Sequence, residues 1–179
     1  MGADGGTGAA ETTPGGLGDE VSRAVAYALR ATANTPMSEG RLRRRLGERD
    51  VPAAVIDLAM ERARTEGIVD DGALAAALVE EGRRKGHAPL RIRTDLQRRE
   101  LPEAAIEAAL ATIGDRDEEA AAFDVAQRRA ASYRGVDAET AFRRLTGFLS
   151  RRGYTDGLSR KVARQVVFHD REPERTAGR

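Results

Sequence analysis

Arginine carries nearly all the chemistry this sequence offers, and it comes in clusters. Residues 83–99 hold Arg83, Arg84, Lys85, Arg91, Arg93, Arg98 and Arg99 against Asp95 alone, a local net charge of +6. Residues 143–164 hold Arg143, Arg144, Arg151, Arg152, Arg160, Lys161 and Arg164 against Asp156, again +6. Lys85 and Lys161 are the only lysines. A guanidinium is a planar fork suited to bidentate contact with phosphate or carboxylate. Residues 1–20, by contrast, carry Asp4, Glu11, Asp19 and Glu20 with no cation. The overall net charge of +1 therefore conceals two basic regions and an acidic tail. Because an Ala- and Arg-rich composition also follows from genomic base composition, the clustering argues for function more than the residue type does.

No catalytic constellation accompanies these arginines. The two histidines, His87 and His169, have no partner at a telling spacing, and the chain has no cysteine. The run Gly5-Gly6-Thr7-Gly8 lacks the following Lys-Ser/Thr of a phosphate loop, and neither G-x-S-x-G nor H-E-x-x-H occurs. Glu80-Glu81 and Glu118-Glu119 read as solvated helix faces. Asp70-Asp71 reads as a helix start rather than a metal site. An enzyme is not expected, and neither is a cofactor or a metal.

The elements that must carry the arginines are helical. Apolar residues make up 40% of the chain but rest largely on alanine, and aromatics are only 4%, which suits thin helical layers better than a thick core. Val55, Ile56, Ala59, Met60 and Ala63 recur at helical spacing, as do Ala105, Ile106, Ala109, Leu110 and Ile113, and Leu74, Ala77 and Leu78. No stretch alternates polar and apolar residues as a half-buried strand does, so the class expected is all-α. Ser38 is a good N-cap for a helix bearing Leu42 and Leu46. Pro52 and Pro102 suit first helical positions, Gly67 and Gly114 suit C-terminal stops, and Asp70 or Asp71 suits the cap of the next helix. The absence of a membrane-length apolar run and of a signal-peptide pattern leads to a soluble, cytoplasmic expectation.

The strongest organisational signal is a repeat. Residues 41–60, RLRRRLGERDVPAAVIDLAM, align without a gap to residues 91–110, RIRTDLQRRELPEAAIEAAL, with eight of the twenty positions identical. These include Arg41/Arg91, Arg43/Arg93, Leu46/Leu96, Arg49/Arg99 and Pro52/Pro102. A third, weaker copy lies over Leu145, Leu149, Arg152, Tyr154 and Leu158. Each unit reads as a helix, a basic helix, a tight turn and a third helix. The first helices carry Val25, Ala28 and Leu29, then Leu74, Ala77 and Leu78, then Phe123 and Ala126. A period near fifty residues implies a repeated supersecondary unit. The expected organisation is a disordered acidic tail over 1–19, module 1 over 20–69, module 2 over 70–114, module 3 over 115–168 and a disordered tail over 169–179. Three tandem three-helix modules would form an elongated, curved array. With no spare apolar stripe, the chain is expected to be monomeric.

Two stretches resemble signatures of RecX proteins. One runs from Glu66-Gly67-Ile68-Val69-Asp70-Asp71 through Ala75, Val79, Arg83 and Arg84 to Gly86-His87-Ala88-Pro89-Leu90-Arg91-Ile92-Arg93 and Leu96. The other, Phe148-Leu149-Ser150-Arg151-Arg152-Gly153-Tyr154, is similar to the family's C-terminal FLxRRG(F/Y) signature. The resemblance covers roughly residues 20–168. Departures are Ala73 and Leu74 where the family usually has an arginine and an aromatic, and Ala88 before Pro89 where it usually has glycine. Asp50 and Glu100 stand at turn positions usually held by glycine, and Gly153 keeps the pattern. Since aspartate tolerates the left-handed conformation better than glutamate, a reshaped turn is expected at Glu100.

The resemblance implies a regulatory protein that binds the RecA–DNA filament and modulates its ATPase and strand exchange in recombination and DNA repair. On that reading Arg83, Arg84, Lys85, Arg91, Arg93, Arg98, Arg99, Arg151 and Arg152 supply much of the contact. The RecA filament is the expected partner, DNA a second, weak and non-specific one, and no membrane is involved. The competing reading is a stand-alone, non-sequence-specific DNA-binding helical repeat, since an arginine-rich face fits a phosphate backbone as well as an acidic protein groove. Nothing resembles an aromatic platform for single-stranded bases.

Overall fold

Among the described residues the chain forms nine α-helices and no strand. The computed structural model describes residues 14–169. Two compact units meet between Asp70 and Asp71.

The first unit contains α1 (Pro14–Thr32), α2 (Glu39–Gly47) and α3 (Ala53–Thr65). Their inward faces bury Val25, Ala28, Leu42, Leu46, Val55, Ile56, Ala59, Met60 and Ala63 in one core. Burying each of the larger aliphatics is worth about 1.5–3 kcal/mol. Ser38 caps α2 as its type predicts, its hydroxyl accepting from the Arg41 amide at 3.2 Å. Helix α1 begins at Pro14, so residues 14–19 of the expected tail are helical. Leu17 and Val21 extend its apolar stripe onto the core, a periodicity hidden by the glycines around Leu17. Residues 1–13 and 170–179, the rest of the two expected tails, lie outside the described residues. Leu29 of the expected stripe faces solvent.

The second unit contains α4 (Asp71–Arg84), α5 (Pro89–Arg98) and α6 (Glu103–Leu110), then α7 (Asp115–Ala130), α8 (Ala138–Arg151) and α9 (Asp156–Arg164). A short 3-10 turn follows α7, and a π-helical turn follows α9. Val79, Ile92, Leu96 and Ile106 centre one core. Leu145, Leu149, Val162 and Ala163 centre another. The inward stripe of α4 is Ala75, Val79 and Gly82, one residue out of phase with the Leu74, Ala77 and Leu78 expected. Ala77 is exposed, while Leu74 and Leu78 flank the core half-buried. Small residues do the close packing there: a Cβ at Gly82 would lie 2.7 Å from Ile92 Cγ1. Gly114 does not stop α6, which ends at Leu110; it sits at the N-cap of α7 in an extended conformation.

The turn after each middle helix is the same object three times. The amides of Asp50, Glu100 and Gly153 donate to the carbonyls of Gly47, Gln97 and Ser150 at 2.9, 2.9 and 3.0 Å. The next amides, of Val51, Leu101 and Tyr154, reach the carbonyls of Leu46, Leu96 and Leu149 at 3.2, 3.4 and 3.3 Å. This is the Schellman arrangement, with its apolar contact between the residue after the turn and the helix end. It needs a left-handed residue, and the φ values are 57° at Asp50, 61° at Glu100 and 91° at Gly153. Glu100 therefore does not reshape its turn, contrary to expectation. The two backbone hydrogen bonds and the burial of Leu101 beside Leu96 outweigh a penalty of about 1–2 kcal/mol. Pro52, Pro102 and Thr155 then occupy the N-cap of the third helix, one position before the first helical position expected for the prolines.

This common turn sets a three-way register. Arg41, Arg91 and Arg144 are equivalent, as are Leu42, Ile92 and Leu145, and Arg49, Arg99 and Arg152. The buried leucines and isoleucine of that register are between 0% and 2% exposed.

Candidate functional site

Where the second unit's two cores meet, the backbone does the joining. Ala88, in the α4–α5 turn, is fully buried and belongs to the core built by α7, α8 and α9. Its N–H donates to the Arg152 carbonyl at 2.9 Å. Two glycines permit the approach. Gly86 has φ +68°, and a Cβ there would lie 2.4 Å from Val125 Cγ2. Gly153 has φ +91°, and a Cβ there would lie 2.6 Å from Arg91 Cβ. Neither position accepts a side chain without displacement of its neighbour.

The seam gathers cations that are far apart in sequence. The Arg152 guanidinium donates to the Lys85 carbonyl and stacks 4.6 Å from the Phe148 ring centroid. Arg129 approaches the same ring at 5.3 Å. Lys85 pairs with Glu81, and Arg91 with Asp95 at 3.1 Å. His87 sits half-buried among them, with Nδ1 4.0 Å from Asp95. Burial holds its pKa below the usual value, and the Arg152 and Arg91 charges push the same way against Asp95.

Between α4 and α5 lies an open cleft of about 370 Å³. Leu78, Gly82, Ile92 and Leu96 form its apolar lining. Lys85, Arg91, Arg98 and Arg99 stand around it with Glu81, Asp95 and His87. Four of the residues expected to make contact are thus brought to one place, and Arg152 adjoins it through Lys85. Arg98 lies 3.7 Å from Asp95 and is well exposed. Arg83 is exposed on α4 beside Glu80, at 3.3 Å. Arg84 and Arg151 are exposed on α4 and α8 and do not line the cleft.

Arg93 is placed differently. It reaches across to α6, where Glu107 lies at 2.7 Å and Glu103 at 2.5 Å. The repeat partner Arg43 does the same, bridging Glu39 at 2.7 Å and Asp57 at 2.5 Å. The pairing of Arg43/Arg93 with Asp57/Glu107 is a repeated clamp between the second and third helices. Sequence reasoning grouped Arg93 with the outward arginines because helical spacing does not reveal a partner on the next helix.

Arg49 and Arg144, which are not among the residues expected to make contact, occupy register positions equivalent to residues that are. The signal that finds them is the register itself, which makes Arg49 the counterpart of Arg99 and Arg152, and Arg144 the counterpart of Arg91. Arg49 lies 4.5 Å from the Tyr27 ring centroid, repeating the arginine-on-ring arrangement of Arg152 and Phe148.

Among the described residues no cluster of His, Cys, Asp and Glu could hold a metal ion, and no helix is long and apolar enough to cross a membrane.

Known proteins similar to this chain include regulatory proteins. Residues 70–110 match the family model for the second three-helix domain of RecX, and residues 117–162 match that for the third. A regulatory protein RecX of Thermobifida fusca is 34% identical over 86% of this chain and 85% of its own length. That of Streptomyces coelicolor is 31% identical over 86% of this chain and 82% of its own. In fold, the chain is similar to the crystal structure of RecX from Lactobacillus salivarius, with a TM-score of 0.70 at 15% identity, covering 83% of this chain and 97% of that one. A helical repeat with these turns, these two matched domains and relatives this similar over most of their length belongs to the RecX family of regulatory proteins.

Proposed function

We propose that this protein binds the RecA–DNA filament and restrains its ATPase and strand exchange, acting by contact in the cytoplasm rather than by catalysis. The supporting observation is the seam, where Lys85, Arg91 and Arg152 converge on a backbone joint that fixes two helical cores together. A rigid piece presenting arginines at a repeated register suits a partner that itself repeats. Modest contacts made at several places multiply into useful avidity. The three modules, over 20–69, 70–114 and 115–168, are the units proposed to make those contacts, in a monomer. Arg83, Arg84, Lys85, Arg91, Arg98, Arg99, Arg151 and Arg152 are the contact residues. Arg93 enters mainly by holding α6 to α5.

The test is binding to preassembled RecA filaments on single-stranded DNA, compared with the same DNA alone across a salt series. The filament reading predicts binding at least tenfold tighter to the filament near physiological salt. Equal affinity for naked DNA, with a steep log–log salt slope of about 0.9 per phosphate contact, would favour the stand-alone DNA-binding reading instead.

A further inference from the structure

The cleft between the first and second helices occurs in homologous form in more than one module, and it is not filled alike. In the first unit the cleft is lined by Ala24, Tyr27, Leu46 and Arg49, and the Tyr27 ring lies beneath the Arg49 guanidinium. In the last helical set the Phe148 ring lies beneath Arg152, the counterpart of Arg49. Matching buried Val25 and Ala28 of α1 to Val79 and Gly82 of α4 places Glu81 where Tyr27 stands. Matching Leu145 and Leu149 of α8 to Ile92 and Leu96 of α5 places Asp95 where Phe148 stands. Residues 71–114 contain no phenylalanine, tyrosine or tryptophan. The α4–α5 cleft therefore has an apolar lining like that of the first unit and the arginine repeated in all three sets, but no ring of its own.

We propose that this cleft receives an aromatic side chain of the filament protein, stacked on Arg99 and seated against Leu78, with carboxylates beside it in the partner's sequence. The proposal rests on the filament reading above and specifies the contact. The lining favours protein over DNA. Glu81 and Asp95, held among the cations of the rim, would repel a continuous phosphate backbone, while the four cations Lys85, Arg91, Arg98 and Arg99 against these two carboxylates leave the rim a net positive charge that attracts discrete carboxylates. An aromatic anchor entering an apolar pocket beneath an arginine is also the composition typical of an interface hot spot.

Two substitutions in the full chain test it, with affinity measured for RecA filaments and for naked single-stranded DNA. Glu81→Tyr gives the cleft its own ring, as Tyr27 does in the first unit. It removes a negative charge, so simple electrostatics predicts tighter binding to an anionic filament. Occlusion predicts the reverse, a loss of about tenfold on filaments with naked-DNA affinity not reduced. Arg99→Lys keeps the charge but gives up the planar stack, and should weaken filament binding about two- to thirtyfold. Circular dichroism establishes that both variants keep the helical fold. Unchanged filament affinity in both variants, or an equal loss on naked DNA in Arg99→Lys, would overturn the proposal. If the wild-type chain itself ignored filaments, the functional reading would fail, and this contact with it.

Discussion

Alanine at position 153 and glycine at position 100 alter the same turn position in two modules, and the structure predicts opposite signs. Gly153 has φ +91°, and its Cβ would lie 2.6 Å from Arg91 Cβ and 3.0 Å from the Arg91 nitrogen. Gly153→Ala therefore incurs a left-handed penalty of about 1–2 kcal/mol. Overpacking against a backbone that cannot swing away adds about 1–3 kcal/mol. A stiffer unfolded chain returns about 0.4–1 kcal/mol, leaving a net destabilisation near 3 kcal/mol. Glu100 already bears the left-handed penalty at φ 61°. Glu100→Gly removes it and forfeits about 0.5–1 kcal/mol of unfolded-state restriction, for a net stabilisation of about 0.5–1 kcal/mol. Urea unfolding followed by circular dichroism reads both changes. Hydrogen exchange at the Ala88 amide, bonded to the Arg152 carbonyl, reads the seam itself. Protection there should fall in Gly153→Ala and hold in Glu100→Gly. If Gly153→Ala were as stable as wild type, or Glu100→Gly less stable by more than about 1 kcal/mol, the reasoning about this turn would be refuted.

Three further predictions concern single side chains. The Tyr154 hydroxyl is buried without a hydrogen-bond partner among the described residues, so Tyr154→Phe should be neutral or stabilising by about 1 kcal/mol in thermal unfolding, and a clear loss would reveal a partner. His87 has its folded pKa below the unfolded value, so the folded state binds fewer protons. Its contribution is present above the unfolded pKa and lost as pH falls through the folded one. Replacing it with glutamine should reduce the stability lost between pH 7.5 and pH 5.5, and an unaltered loss would contradict the assigned burial. Charge reversal at Arg91 should weaken filament binding more than reversal at Arg93, whose effect should appear mainly as lowered stability through Glu103 and Glu107. Equal losses of binding at equal stability would place Arg93 in the interface after all.

Much of this architecture was legible in the sequence because its repeat is carried by large apolar residues. Leu42 and Leu46, Ile92 and Leu96, and Leu145 and Leu149 announce the buried stripe of each middle helix, and all are nearly inaccessible. The inward face of α4 was read one residue out of phase because Ala75 and Gly82 contribute little hydrophobic signal beside Leu74 and Leu78. The start of α1 was concealed by glycine in the same way. Gly114 was misplaced because a glycine between two helices can end one or begin the next. The seam could not be read from the chain at all. Ala88 and Arg152 meet across 63 intervening positions through backbone atoms, and no periodicity encodes such a contact. The arginine clusters were legible as clusters, but their division into an internal clamp at Arg93 and a cleft rim at Lys85, Arg91, Arg98 and Arg99 depends on neighbouring helices.

The central claim, regulation of the recombinase filament, is tested most directly by the RecA ATPase on single-stranded DNA during titration with this protein. The proposed filament contact predicts inhibition at well below one molecule per RecA protomer, as expected of a repeated surface that would engage several protomers at once. Full ATPase activity at stoichiometric protein, under conditions where the chain is folded, would contradict it.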